Sequence, residues 1–242
     1  MPEKEPISVQ QRIERGISAW ERSDYEAALN DFQAVLAEHP SFPDVHNKVG
    51  LCLAMLGDPE AALKEFDEAL RLSETYAEAH LNRAIVLQEL GRFEEARKHL
   101  QRADELDHRD SQQFPSDVGH RIAIGHAKLG DLYLVADHPE EAAEQYRQAL
   151  DIRARFLDIR SKYAEALMGM EKWDEAQEQL QIILDKNPDF TSARLRLGVV
   201  LQRKGDSQGA RAQWERCVRE DPRDMRAKAY LASVGGRGNP AS

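Results

Sequence analysis

The stretch VGLCLAMLGDPEAALKEFDEAL, residues 49–70, decides the fold of this chain. Apolar side chains recur at helical spacing on both sides of Gly57-Asp58-Pro59, which favours a turn. Proline suits the first turn of a helix, where its missing N–H leaves no hydrogen bond unmade. The stretch therefore predicts two helices joined by a short turn, with the small Ala62 allowing close approach and the large Phe66 filling space.

The same arrangement occurs six times. An alanine is followed four residues later by a large side chain in Ala28/Phe32, Ala62/Phe66, Ala96/Leu100, Ala142/Tyr146, Ala176/Leu180 and Ala210/Trp214. Twelve residues before each alanine is a second small residue, namely Gly16, Gly50, Ala84, Gly130, Ala164 and Gly198. Successive copies are 34, 34, 46, 34 and 34 residues apart. This period predicts six helix-turn-helix repeats.

The register predicts how the chain is organised. We expect an N-terminal tail at 1–8, repeats one to three at 9–110, an insertion at 111–122, repeats four to six at 123–224, a capping helix at 225–234 and a flexible tail at 235–242. Positions within a repeat are counted from residues 9, 43, 77, 123, 157 and 191. The insertion has two interpretations: a longer first helix capped by Ser116 or Asp117, or a hinge or partner-contacting loop anchored by Phe114.

The pattern resembles the tetratricopeptide repeat, whose consensus has a small residue at position 8, alanine at 20, an aromatic residue at 24 and proline at 32. The resemblance covers nearly the whole chain. It implies an all-α fold, a right-handed superhelical α-solenoid of antiparallel helix pairs whose first helices line a concave face. It also implies the function of an adaptor or scaffold that binds another protein or a peptide segment.

The resemblance also implies which residues face a partner, since groove residues in the family come from positions 2, 5, 6, 9, 12 and 13. The expected contacts are Ile13, Ile17, Asn47, Leu51, Asn82, Ile85, Lys128, Asp131, Lys162, Glu165, Arg196 and Val199. The same positions include Lys48, Met55, Leu81, Gln88, Leu134, Val135, Met168, Leu195, Gln202 and Arg203. Such a mixed groove suits an amphipathic helix or extended segment with apolar anchors.

Chaperone-binding members of the family grip a C-terminal carboxylate with lysine, asparagine and arginine at fixed positions of three successive repeats. At the corresponding places the first three repeats have Ile13/Ile17, Asn47/Leu51 and Glu78/Asn82. The required cations are missing, which disfavours a chaperone clamp.

Charge is unevenly distributed along the chain. The formal net charge of −10 arises in residues 1–121, while residues 122–242 are neutral and the part from Thr191 onward is +6. This asymmetry supports a second hypothesis, a homo-oligomeric scaffold in which acidic and basic ends meet head to tail. A third hypothesis, contact of the basic last repeat and cap with nucleic acid or an anionic membrane, is disfavoured by the acidic remainder.

The sequence argues against an enzyme. It contains no Ser/His/Asp or Cys/His grouping, no phosphate-binding glycine loop and no metal-ligand spacing, so we expect no catalytic residue, cofactor, metal or small-molecule substrate. Cys52 and Cys217 lie far apart, which suggests core residues in a reducing compartment. There is no signal-peptide pattern and no apolar run of about 18 residues, so we expect a cytoplasmic protein.

One column of residues needs a separate interpretation. Position 4 of the six repeats is Arg12, His46, His80, His126, Arg160 and Arg194. Helices of adjacent repeats pack about 8–10 Å apart, so one histidine per repeat does not converge on a metal ion. We expect half-buried polar side chains with solvated tips, and a pH-sensitive column is the alternative.

Overall fold

The computed structural model describes residues 7–110 and 117–235 of the 242-residue chain. In these ranges it consists of thirteen α-helices and contains no strand. The helices are α1 (Val9–Glu21), α2 (Tyr25–Glu38), α3 (Pro43–Met55), α4 (Pro59–Leu72), α5 (Ala77–Glu89), α6 (Phe93–Asp110), α7 (Asp117–Val135), α8 (Pro139–Ile152), α9 (Leu157–Gly169), α10 (Trp173–Lys186), α11 (Thr191–Arg203), α12 (Ser207–Glu220) and α13 (Met225–Gly235). The predicted all-α class is confirmed.

The chain forms two compact units, Met1–Gly125 and His126–Ser242, here called the N-terminal and C-terminal units. In the N-terminal unit α1 packs on α2, α3 on α4 and α5 on α6, and each pair packs on the next. In the C-terminal unit α9 packs on α10, α11 on α12, and α13 on α12. Each unit is therefore a stack of antiparallel helix pairs in chain order, as expected for an α-solenoid.

The turn between the two helices of each repeat requires a left-handed residue at position 15. The backbone φ there is positive in all six repeats: Ser23 61°, Gly57 84°, Gly91 72°, Asp137 62°, Glu171 56° and Gly205 89°. Asp24, Asp58 and Asp206 follow and accept a hydrogen bond from a backbone N–H in the first turn of the second helix. These aspartates are N-caps, so turn and helix start are encoded together.

The small residue at position 8 lies directly against the large residue at position 24 of its own repeat. A Cβ atom added to Gly16, Gly50 or Gly130 would lie 2.6–2.7 Å from the ring of Phe32, Phe66 or Tyr146. Repeats three and five have alanine at position 8 and leucine at position 24 instead. The two side-chain sizes change together, as close packing between the two helices requires.

The predicted core is confirmed. The alanine at position 20 is fully buried in every repeat, at 0% exposure. Cys52 and Cys217 are free thiols, also at 0% exposure. Burial raises the pKa of Cys52 to about 11, so it remains a neutral thiol and behaves as a small apolar side chain.

Two parts of the expected organisation touch residues outside the described ranges. Helix α7 begins at Asp117, so residues 117–122 are helical, whereas Phe114, the proposed loop anchor, lies outside the described residues. Helix α13 covers the last repeat, where Leu231 and Val234 pack against the cluster around Trp214. Most of the expected tails, residues 1–6 and 236–242, also lie outside the described residues.

Candidate partner-binding face

In repeats two, three, five and six, the side chain at position 4 contacts a carbonyl oxygen of the loop before the repeat. Arg160 donates to the carbonyl oxygen of Ala154 at 3.2 Å and to Gln179 Oε1 at 2.5 Å. His46 makes the equivalent contacts in repeat two. Its Nε2 lies 3.0 Å from the carbonyl oxygen of Pro40, and its Nδ1 lies 2.7 Å from Glu65 Oε2. We call this arrangement the loop clip.

In repeats two to six, the side chain at position 4 also contacts the side chain at position 23, which the sequence analysis did not identify. That column reads Asp31, Glu65, His99, Gln145, Gln179 and Gln213, always nineteen residues after position 4. A polar residue recurring at this fixed offset was the available signal. At position 4, Arg12, His80 and Arg160 are half-buried as expected. His46, His126 and Arg194 are instead buried, at 8%, 1% and 4% exposure. In residues 7–110 and 117–235, no group of three or more His, Cys, Asp or Glu side chains is placed to hold a metal ion.

The clip of repeat three consists of two imidazoles. His80 Nδ1 lies 2.9 Å from His99 Nδ1, and Arg83 lies 2.7 Å from His99 Nε2. Arginine can only donate, so His99 Nε2 accepts, His99 Nδ1–H donates to His80, and His80 Nε2–H donates to the Glu74 carbonyl oxygen at 3.2 Å. Burial, Arg83 and His80 together lower the pKa of His99 to about 4.

In the N-terminal unit, the expected contact residues Asn47 and Asn82 lie beneath the surface, 2% and 1% exposed. Asn82 Nδ2 donates to Asn47 Oδ1 at 2.9 Å, and Asn47 Nδ2 donates to the Tyr76 hydroxyl at 3.3 Å. Arg121 donates to Asn82 Oδ1 at 2.7 Å and also pairs with Glu78. These side chains form a hydrogen-bonded ladder, so their polar groups are satisfied within the unit.

In the C-terminal unit, four of the expected contact residues form two ion pairs. Lys162 Nζ lies 2.7 Å from Asp131 Oδ2, and Arg196 lies 2.6 Å from Glu165 Oε2. Asp131 also accepts a hydrogen bond from the Tyr146 hydroxyl, whose pKa is raised by burial and by this carboxylate. An acid at position 9 thus pairs with a base at position 6 of the next repeat, and the two charges neutralise each other.

Position 9 is apolar in the N-terminal unit, where it is occupied by Ile17, Leu51 and Ile85. Ile17 and Leu51 line a hollow of about 300 Å³, measured with its open mouth. The remaining lining residues are Trp20, Phe32 and Lys48. Ile17 is 37% exposed, and Met55, one turn beyond Leu51 on α3, is 54% exposed. We call the cavity lined by Ile17, Trp20, Phe32, Lys48 and Leu51 the apolar hollow.

The other expected contacts have intermediate or high exposure. Lys128 is exposed, while Ile13, Ile85 and Val199 are half-buried. Three further residues at groove positions, Leu81, Gln88 and Leu195, are buried. The sequence analysis missed Trp20, although it occupies position 12 and an aromatic side chain at a groove position is a recognisable signal.

Comparison with sequence families identifies the repeats. A model described as tetratricopeptide repeat matches residues 13–77 and 161–224, and a second with the same description matches residues 53–114. The chain belongs to the tetratricopeptide repeat family. Tetratricopeptide repeats typically serve as non-enzymatic scaffolds of protein–protein interaction. No curated protein sequence matches this chain.

Solved structures of other tetratricopeptide repeat proteins share the fold. MamA matches with a TM-score of 0.60 and 22% identity, over 74% of this chain and 92% of its own. YrrB, described as having an unusual peptide-binding site, matches with a TM-score of 0.59 and 19% identity, over 82% and 96%. PilF of Pseudomonas aeruginosa matches with a TM-score of 0.57 and 19% identity, over 93% and 97%. No helix among the described residues has the length and apolar character to cross a membrane.

Proposed function

We propose that this tetratricopeptide repeat protein is an adaptor that binds a segment of another protein on the first helices of its N-terminal unit. The apolar hollow carries the proposal, because it is an open cavity with the exposed Ile17 at its edge, in a unit that is otherwise strongly charged. Met55 adds exposed apolar surface one turn beyond Leu51. Apolar side chains in a concave pocket supply most of the affinity in peptide recognition. Peptide binding by YrrB, a protein of the same fold, supports this assignment.

The residues at position 9 differ between the two units, and this difference favours the N-terminal unit as the binding surface. Asp131 and Glu165 occupy position 9 in repeats four and five of the C-terminal unit and are already paired with Lys162 and Arg196. A ligand there replaces existing ion pairs, whereas a ligand in the apolar hollow removes apolar surface from water. We therefore place the main anchor of the partner between repeats one and two.

Selection from a library of short random peptides displayed on phage tests this function. Selected peptides are synthesised and their affinity is measured by calorimetry for the wild type, Ile17→Arg and Leu56→Arg. Leu56 is a matched control, since it is 42% exposed in the same unit but does not line the hollow. We expect Ile17→Arg to weaken binding at least about tenfold, because it places a charge where an apolar anchor is buried.

Leu56→Arg is expected to bind like the wild type. Equal affinity of Ile17→Arg and wild type, with both folded by circular dichroism, would exclude the apolar hollow as the binding site.

Head-to-tail self-assembly is the second candidate, supported by the net charge of −10 in residues 1–121 and +6 from Thr191 onward. Sedimentation velocity at low and high salt tests it, because contacts between exposed charges weaken as ionic strength rises. Oligomers that dissociate with salt support self-assembly, and a salt-independent monomer excludes it.

A further inference from the structure

Lys48 lacks the carboxylate partner that Lys162 and Arg196 possess. Lys128, which is also at position 6, is exposed. Lys48 occupies position 6, as do Lys162 and Arg196 in the C-terminal unit. Each of those bases pairs with the carboxylate at position 9 of the preceding repeat, at 2.7 and 2.6 Å. For Lys48 the preceding position 9 is Ile17, which has no carboxylate. Within the ranges the structure describes, Lys48 has neither a hydrogen bond nor an ion pair.

The unpaired Lys48 lies in the apolar hollow. Lys48 is half-buried and lines the apolar hollow together with Ile17, Trp20 and Leu51. A cation beside apolar side chains is less well hydrated than one on an open surface, so it gains more from a counter-ion. The hollow therefore presents one positive charge next to an apolar cavity, and both are open to a ligand.

We propose that Lys48 pairs with the side-chain carboxylate of an aspartate or glutamate in the bound segment, while a large apolar side chain of the same segment fills the hollow. The ligand then provides Lys48 with a carboxylate counter-ion, as Asp131 does for Lys162 within the chain. The inference rests on the proposed function of the apolar hollow. It adds the chemistry of the partner, which is an internal acidic residue within a few positions of an apolar anchor.

Two observations limit the acidity of the partner. The N-terminal unit has a net charge of −10 in its first 121 residues, so a run of acids in the ligand is repelled. A side chain is the expected source of the carboxylate because the equivalent partners, Asp131 and Glu165, are side chains. We expect one acid beside the anchor and neutral or basic residues elsewhere in the segment.

The phage selection is repeated on the Lys48→Glu protein, with Lys64→Glu as the matched control. Lys64 is an exposed lysine of the same unit, on the second helix of repeat two, and does not line the hollow. We expect wild type and Lys64→Glu to enrich an aspartate or glutamate near a large apolar residue. Lys48→Glu is expected to enrich lysine or arginine at that place instead.

A double-mutant cycle then measures the contact with amidated synthetic peptides. Replacing the selected acid by its amide should weaken binding to wild type about tenfold, as expected for a partly exposed charge-assisted hydrogen bond, and to Lys48→Met by no more than about twofold. Ile17→Asp offers an internal check, because it recreates the Asp131–Lys162 arrangement and should abolish the preference for an acid.

The outcomes separate this inference from the proposed function. Peptides that require Ile17 but show no acid, or an acid that Lys48→Glu retains, would overturn the Lys48 contact and leave the apolar hollow as a binding site. Binding that appears only with a free C-terminal carboxylate would also overturn it. A selection that yields no binding peptide, or peptides that bind Ile17→Arg as tightly as the wild type, would contradict both the Lys48 contact and the apolar hollow as a binding site.

Discussion

A Cβ atom on Gly50 would lie 2.6 Å from Cε1 of Phe66, so the ring occupies the space that a side chain at position 8 needs. In repeat three the same two positions are Ala84 and Leu100, both at 0% exposure. The repeat therefore accepts glycine with an aromatic ring or alanine with leucine. This relationship sets the separation between the two helices of each repeat.

Gly50→Ala should lower the free energy of unfolding by about 2 kcal/mol, because the added methyl group overpacks a buried contact. The double variant Gly50→Ala/Phe66→Leu should regain part of this loss, since it reproduces the Ala84/Leu100 pair. Urea unfolding followed by circular dichroism measures both. A double variant that is less stable than Gly50→Ala would show that the two positions are not complementary.

Replacing Glu171 by glycine should stabilise the protein. The Glu171 φ of 56° lies in the left-handed region, which disfavours side chains with a Cβ, and the equivalent residues Gly57, Gly91 and Gly205 are glycines. We expect Glu171→Gly to raise the free energy of unfolding by about 1 kcal/mol. Gly57→Ala is the reciprocal control and should lower it by a similar amount. Unchanged midpoints for both variants would contradict the assigned turn conformation.

The His80–His99 clip should make the protein sensitive to mild acid. The pKa of His99 falls to about 4 in the folded protein, chiefly through burial, from an ordinary value of 6.5. The unfolded chain then binds the proton first, so this stability is complete above pH 6.5 and is lost as pH falls toward 4. The charges around the pair are Arg83, Arg102, Asp67 and Glu95. We expect a loss of about 2 kcal/mol over this window.

His99→Gln is the matched variant for that measurement, because Gln145 takes the same place opposite His126 in repeat four, 2.9 Å from His126 Nδ1. Urea midpoints at neutral pH and near pH 5 should differ less for His99→Gln than for the wild type. An equal pH dependence of the two proteins would assign the acid sensitivity to other groups.

Asn82→Ala should destabilise the N-terminal unit by about 2 kcal/mol, since it removes the partner of both Asn47 and Arg121 from a buried ladder. Asn30→Ala, at an exposed position of α2, is the control and should change stability by less than about 0.5 kcal/mol. Differential scanning calorimetry compares the two. An Asn82→Ala protein as stable as the wild type would show that the ladder contributes little to the free energy of unfolding.

Much of the fold was predictable because it depends on contacts at fixed distances along the chain. Ala62, Phe66 and Pro59 predict a helix pair by their spacing alone, and six copies of that spacing predict a stack. The turn residue at position 15 was less predictable, since Ser23, Asp137 and Glu171 take a left-handed conformation that their side chains do not favour. The repeated geometry of neighbouring helices imposes it.

The sequence by itself determined the repeat and its register, because both follow from a periodic pattern within the chain. The set of predicted groove positions came from the resemblance to the tetratricopeptide repeat. Only the tertiary structure decided which of those positions are accessible. It placed Asn47 and Asn82 beneath the surface and left Ile17 and Lys48 open, although all four occupy predicted groove positions. The physical reason is that burial and ion pairing depend on the neighbouring repeat: Lys162 meets Asp131 there, whereas Lys48 meets Ile17.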